Sequence, residues 1–350
     1  MDFILNGQAQ GGVASLMMQT DFNVGALRPY VGNDGHTYIT VNQGGKPVSV
    51  PLTNANATLR KDEWIHLDQA VIAAARPRLR AVADLRGRGL EYKIPNGMGK
   101  TVLESQNQSD ISAAGITMDG MERSKEDRPV YDLTNLPLPI IHKDFSFTAR
   151  QIAASRNGGS PLDTTSAALA GIKVAETAED LLIGSLSTFK FGGGNLYGYT
   201  NFPGRITAVI TSPVASGWTP ATCISDVLGM VQSSIDAYHY GPWVLYYGPS
   251  WNKYMSDEYK DESDATLAER LRRIEGLEDV RMLDRLSGYD LVLVQMTQDV
   301  ARVVNGMDVT TVQWESHGGM LINFKVMAIL CPQIRADFNS RTGIVHGSVA

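Results

Sequence analysis

The chain has 350 residues, 43% hydrophobic and 19% charged, which is apolar material for one to three domains under a thin coat of charge. A net charge of −6 without a basic stripe tells against a protein that holds nucleic acid by neutralising phosphates. Cys223 and Cys331, the two cysteines, sit in apolar stretches and form no C-x-x-C, which excludes a disulfide framework and points to buried thiols in a reducing compartment.

Residues 1–60 are rich in Gly, Asn, Thr and Gln, with short extended runs at Thr37 to Val41 and Val48 to Val50. They carry too little apolar material for a core of their own and read as an arm that orders on a neighbour. No basic-then-apolar leader opens the chain, and no apolar run approaches the roughly 18 residues of a membrane span, so a cytoplasmic protein without a membrane partner is expected. Trp64, Leu67, Val71, Ala74 and Leu79 follow helical spacing, and Pro77 marks a kink or boundary in a helix over 61–85. The densest basic run follows, from Arg76 to Arg88. It reads as the solvated face of a helix and its end, with a loose electrostatic contact to DNA as the alternative.

Leu90, Tyr92 and Ile94 then alternate with polar residues, and Asn96-Gly97 is a hairpin signal. Further strands are predicted at Ala114 to Met118, Val130 to Leu133 and Ile140 to Thr148. The stretch 89–145 therefore reads as a long extended loop that needs another surface to lie on. Pro161 and Asp163 announce the clearest helix, over 163–183, with Asp163 as its N-cap and Gly184 as its left-handed stop. Leu169, Ile172, Ala175 and Leu182 mark one face of it. Residues 185–217 are Gly- and aromatic-rich loop with a short strand at Ile206 to Ile210. An α/β unit follows, with a helix carrying Ile224, Val227, Leu228, Val231 and Ile235, and a second helix through Leu267, Leu271 and Ile274. Its strands are predicted at Trp243 to Tyr247, Val280 to Leu283, Leu291 to Gln295, Thr310 to Glu315 and Met320 to Ile329. The remainder to Ala350 reads as a polar tail.

Motifs that carry chemistry fail one by one. Gly99-Lys100-Thr101 has Ile94 where a phosphate loop needs its first Gly. Tyr92 and Val102 occupy the third-Gly position of the two partial dinucleotide patterns. No two of the six histidines lie three or four apart, and the acidic run Asp257 to Asp264 lacks the central Gly of a calcium loop. There is no G-x-S-x-G elbow. The reading is a non-enzyme with no catalytic residue, no cofactor and no metal.

The segment from Leu136 to Arg156, then Pro161-Leu162-Asp163-Thr164-Thr165, then Val174 to Gly184 with its Glu179-Asp180 pair, resembles the encapsulin shell proteins. Gly241-Pro242-Trp243-Val244-Leu245 and the stretch from Met307 to Pro332 are similar to later parts of the same family. Encapsulins share the Hong Kong 97-type fold with the major capsid proteins of tailed bacteriophages. The resemblance implies an α+β chain of this fold. It divides into an N-terminal arm (1–60), a peripheral domain (61–88 and 146–218) with spine helix 163–183, and an extended loop (89–145). An axial domain (219–318) and closing strands with a C-terminal tail (319–350) complete it.

The added arm and enlarged loop favour a phage head, a virion protein assembled in the host bacterial cytoplasm. Its partners would be copies of itself in pentamers and hexamers of an icosahedral shell, packaged DNA through weak non-specific contact, and scaffold, portal and decoration proteins. Leu90, Tyr92, Lys93, Ile94, Asn96 and Lys100 are the candidate inter-subunit contacts of the loop. An encapsulin nanocompartment holding a cargo enzyme is the alternative reading, and a soluble enzyme of unknown activity the second.

Overall fold

In a computed structural model, residues 28–349 are described, apart from 44–45, 53–58, 115, 120, 122–125, 159–163, 187, 261–263 and 338. Much of the expected arm is folded onto its own chain. Strands β1 (Tyr30–Val31), β2 (Thr37–Gln43) and β3 (Lys46–Leu52) form an antiparallel meander. Ile39 and Val41 alternate onto its buried face, as a half-buried strand requires. The indole Nε1 of Trp64 donates to the Pro29 carbonyl (3.0 Å), and the Arg28 guanidinium lies over the same ring (4.8 Å) while pairing with Asp68. Residues 1–27, 44–45 and 53–58 of that arm lie outside the described residues.

Helix α1 (Lys61–Ala75) starts where Glu63 accepts the N–H of Arg60 (2.8 Å) and also holds Arg156 (2.7 Å). Trp64, Leu67, Val71 and Ala75 form its buried stripe. A tight turn at Arg76–Arg78, carrying Pro77, separates it from α2 (Arg80–Gly87), since proline cannot continue an N–H ladder. Strand β4 (Glu91–Lys93) then pairs parallel with a much later strand, through Glu91 against Val303 and Lys93 against Asn305. The predicted turn at Asn96-Gly97 is a single 3₁₀ turn, Gly97–Gly99, in which the Asn96 side chain accepts the Gly99 N–H (3.0 Å).

Strands β5 (Val102–Gln108) and β6 (Tyr131–Pro137) pair with each other. They are followed by β7 (Ile141–Thr148), α3 (Ala149–Gly158) and the spine helix α4 (Thr165–Ile183), which ends at Gly184 in the left-handed conformation. The N-cap of α4 is Thr164, without a side-chain cap bond, and Asp163 lies outside the described residues. Helix α3 was not anticipated. The buried side of α4 carries Ala167, Ala170, Gly171, Val174, Ala178 and Leu182, and α1 approaches closely at Gly171, where a Cβ would lie 2.9 Å from the Val71 carbonyl oxygen, whereas Leu169 of the predicted face is exposed.

After the short hairpin of β8 (Phe189–Phe191) and β9 (Gly194–Leu196) come β10 (Ile206–Ile210), α5 (Pro220–Asp236), β11 (Trp243–Tyr247) and α6 (Asn252–Met255). Helix α7 (Leu267–Arg272) begins with a reciprocal Thr266–Glu269 capping box. The last strands are β12 (Leu277–Met282), β13 (Leu291–Gln295), β14 (Ala301–Ser316), β15 (Leu321–Ile334) and β16 (Ile344–Val349).

Two sheets organise the molecule. The body sheet runs β4-β14-β15-β7 and packs on α4. The axial sheet runs β10-β16-β13-β11-β12. Strands β11 and β13 are almost wholly apolar because both of their faces are covered. Trp243, Leu245, Leu293 and Val345 meet the side of α5 and α7, while Val244, Tyr246, Val292 and Val294 join the core around the spine helix. Three expectations change here. The C-terminal stretch is a central strand rather than a tail. Residues 206–210 belong to the axial sheet rather than to the peripheral domain. One core runs through the predicted boundary at 218–219.

Candidate assembly interface

The row expected to dock on a neighbour is divided by the structure. Leu90 (4% exposed) belongs to the main core, and Ile94 (7%) to a smaller cluster with Leu103, Leu136, Val304 and Ile329. Both are satisfied within their own subunit, so they are not loop contacts. Tyr92 is exposed and stacks under the Arg302 guanidinium (4.7 Å). Lys93 Nζ sits 3.4 Å from Glu91, Lys100 is exposed, and Asn96 is used within its turn. The cause is one pairing: β4 is the edge of the body sheet, so residues 89–94 are body.

The extended element begins at β5. Its root is fixed by the Leu138 N–H to Thr101 carbonyl bond (2.9 Å), by burial of Leu103, Leu136 and Leu138, and by the Asn135 amide donating to the Gly192 carbonyl (3.0 Å). Directly opposed residues of an antiparallel pair share a face. Leu103 with Leu136, Ser105 with Thr134 and Asn107 with Asp132 face the body, where the Asn107 side chain reaches the Ala336 carbonyl (3.4 Å). The opposite face carries Asn135 at the root, where its amide meets the loop of β8 and β9, and then turns outward with Gln106 against Leu133 and Gln108 against Tyr131. Leu133 (60% exposed) and Tyr131 (58%) stand there without apolar cover.

The tip, residues 109–130, contains no strand among its described residues, against the strand predicted at Ala114 to Met118. Ser109 and Val130 continue the ladder (2.8 Å), and Asp127 accepts the Ser112 N–H (2.5 Å). Ile111, Ile116, Met118 and Met121 are all exposed, Ile116 almost completely. Segment 102–137 holds seven acidic and three basic residues, so it carries −4 of the chain's net −6. A two-stranded ribbon with bare apolar side chains is marginal in water on its own, and each large side chain that becomes fully buried contributes about 1.5–3 kcal/mol.

A second set of exposed apolar side chains, Val209, Val214, Leu228, Tyr238 and Tyr240, lies on the axial half, where β10 is an edge strand. The basic run is largely consumed internally. Arg78 and Arg80 share Asp284, Arg86 pairs with Glu91 and Asp308, and Arg88 pairs with Glu278. Four of its five arginines thus have acidic partners, as the reading of a solvated helix face anticipated.

Reactive chemistry finds little footing. Burial pushes the thiols of Cys223 and Cys331 up to about 12, so neither is a nucleophile near neutrality. Among the described residues no group of three His, Cys, Asp or Glu side chains could hold a metal ion. Among the described residues no helix is long and apolar enough to cross a membrane. A polar cleft of about 570 Å³ lies beside the hairpin, lined by Gln106, Ser109, His239, Asp299, Arg335 and Arg341.

Comparison with known proteins matches this architecture. The chain is 25% identical over 263 residues to the type 1 encapsulin shell protein EncA of Myxococcus xanthus (strain DK1622), covering 73% of this chain and 84% of that one. The virus-like particle protein from Pyrococcus furiosus superposes with a TM-score of 0.56 at 17% identity, over 81% of this chain and 99% of the other. The capsid protein of Myoviridae phage XM1 does so with a TM-score of 0.59 at 7% identity, over 77% and 92%. The fold is therefore the α+β Hong Kong 97 type, shared by phage capsids and encapsulin-like particles. The sequence profile of a family of unknown function, DUF6260, matches residues 54–347, and the chain belongs to that family.

Proposed function

We propose that this chain is a shell protein whose copies join into a closed icosahedral particle, and that the particle is the head of a tailed bacteriophage. The observation that carries the reading is the outward face of the β5–β6 hairpin. It leaves Tyr131 and Leu133 bare on a rigid root, in a chain whose own core is already filled. Lying across a neighbour, that ribbon buries these side chains and the apolar residues of its tip. A modest contact repeated at every subunit holds a shell together while single subunits stay soluble. The axial halves, with Tyr238 and Tyr240 exposed, would meet around the five-fold and quasi-six-fold axes as pentamers and hexamers. DNA would be retained by enclosure and weak non-specific contact, since the arginine run is largely neutralised within the subunit. Scaffold, portal and decoration proteins are the further partners of this reading.

The phage assignment rests on the docked meander at residues 30–52 and the chain before it, which come ahead of the first body helix. The similarity to a type 1 encapsulin shell protein favours a second reading, a compartment around a cargo protein. Expression of the chain alone, followed by electron microscopy and assay of the purified particles, separates these. Closed shells are the expected result, and a monodisperse small oligomer would overturn the shell reading. Nucleic acid inside particles from infected cells supports the head, and a co-purifying enzyme without nucleic acid supports the compartment.

A further inference from the structure

The spine helix, α2 and the axial sheet converge on a cluster of buried acids and phenols that assembly does not use. Glu179, on α4, is 2% exposed and accepts the backbone N–H groups of Val82 (3.1 Å) and Ala81 (3.3 Å), the free donors at the start of α2. Two other carboxylates are adjacent, and each already has its own cation. Asp84, on α2, pairs with Arg281 of β12 and accepts the hydroxyl of Tyr246 from β11 (3.0 Å). Asp180, beside Glu179 on the spine helix, is held by Arg285 (2.6 and 2.7 Å). Arg88, just after α2, and Asp279 on β12 complete the charges around Asp84. Tyr199 stacks on Tyr246 with ring centroids 6.2 Å apart, and its buried hydroxyl has no hydrogen-bond partner among the described residues. Glu179 alone of the three acids has no ion-pair partner among the described residues.

We propose that Glu179 is a proton-gated latch, which fastens α2 to the spine helix while neutral and loosens that joint when it ionises. An ionised carboxylate here would meet the like charges of Asp84 and Asp180 in a buried site, with no cation of its own among the described residues. Burial, reinforced by those two neighbours and only partly opposed by the two N–H donors, raises its carboxyl to about 8. Burial also holds both phenols well above their ordinary value, so neither titrates in the same range. The folded protein binds this proton more tightly than the unfolded chain does. The latch's stabilisation is therefore full below the ordinary Glu value near 4.5 and is lost as pH rises through about 8.

Thermal unfolding of the full chain and of its Glu179→Gln variant, followed between about pH 6 and pH 9.5, tests this. Gln keeps the shape and can accept one of the same N–H groups, but it cannot ionise. The wild type is expected to lose several degrees of Tm across this range and the variant distinctly less, so that the variant is the more stable above pH 9. Parallel curves would overturn the latch. If the variant does not fold, infrared spectroscopy of wild-type protein carrying ¹³C-labelled glutamate decides. The expected result is a protonated-carboxyl band at pH 6.5 that disappears by pH 9.5, and absence of that band at pH 6.5 would refute the proposal. Sedimentation of the same samples reports particle formation separately, so failure of the latch and failure of the shell reading are distinguishable.

Discussion

At Gly97 the fold has no room for a side chain. A Cβ there would lie 2.3 Å from the carbonyl oxygen of Gly306, so two backbone segments about 200 residues apart meet glycine to glycine. Gly97→Ala must push a sheet backbone rather than a side chain, and a loss of roughly 1–3 kcal/mol is expected, read as a lower Tm by circular dichroism. Asn96-Gly97 was legible as a turn, but its partner Gly306 was not, because nothing local marks a contact across the chain. Leu90 and Ile94 teach a related lesson. Their alternation correctly placed them on a buried face, yet periodicity says only that a face is covered and not whose surface covers it. The cover is the subunit's own β14 and its neighbours. The spine helix takes Thr164 as its N-cap, one residue after the expected Asp163.

Among the elements, the hairpin's function depends on the division between its two faces. Tyr131 and Leu133 touch nothing in their own core, so replacing both with Ser should leave the subunit's melting within about 0.5 kcal/mol of wild type while abolishing closed shells. Sedimentation combined with calorimetry checks both halves of that prediction. A large drop in melting temperature would mean that the face is internal. The apolar residues of this ribbon are widely spaced among Gln, Asn and Asp, which is why its outward row was less visible in sequence than the alternation just before it. Helix α3 did have a signal. Thr148 and Gln151 form a reciprocal cap, with the Thr148 N–H donating to Gln151 (2.8 Å) and the Gln151 N–H to Thr148 (3.3 Å), the spacing of a capping box. It was masked by the strand pattern that runs straight into it. The spine helix and β11 were legible for the opposite reason. Each is long or apolar enough that its period or its burial admits one reading.

For the whole molecule, the element least visible in sequence is among the most central. β16 contains His346, Gly347 and Ser348 and reads as polar, yet it lies between β10 and β13 with Ile344 and Val345 fully buried. Gly347 is there because a Cβ would press on Ile210 (2.8 Å) and the sulfur of Met230 (3.1 Å), so small size rather than hydrophobicity is what the site selects. Deleting residues 344–349 removes a strand from the middle of the axial sheet and should abolish cooperative unfolding altogether. A variant that still melts in one sharp transition would show that the sheet closes without it.

The position of β16 also sets an order of events on the ribosome. Ile206 pairs with Val345, so β10 emerges early and waits for roughly 140 further residues before its parallel partner exists. Until then β10 and β13 have no neighbour between them, and a half-made chain cannot present a finished axial half to other subunits. A chain terminated before residue 344 would thus lack the strand that closes its axial sheet, and its axial half could not match that of a complete subunit.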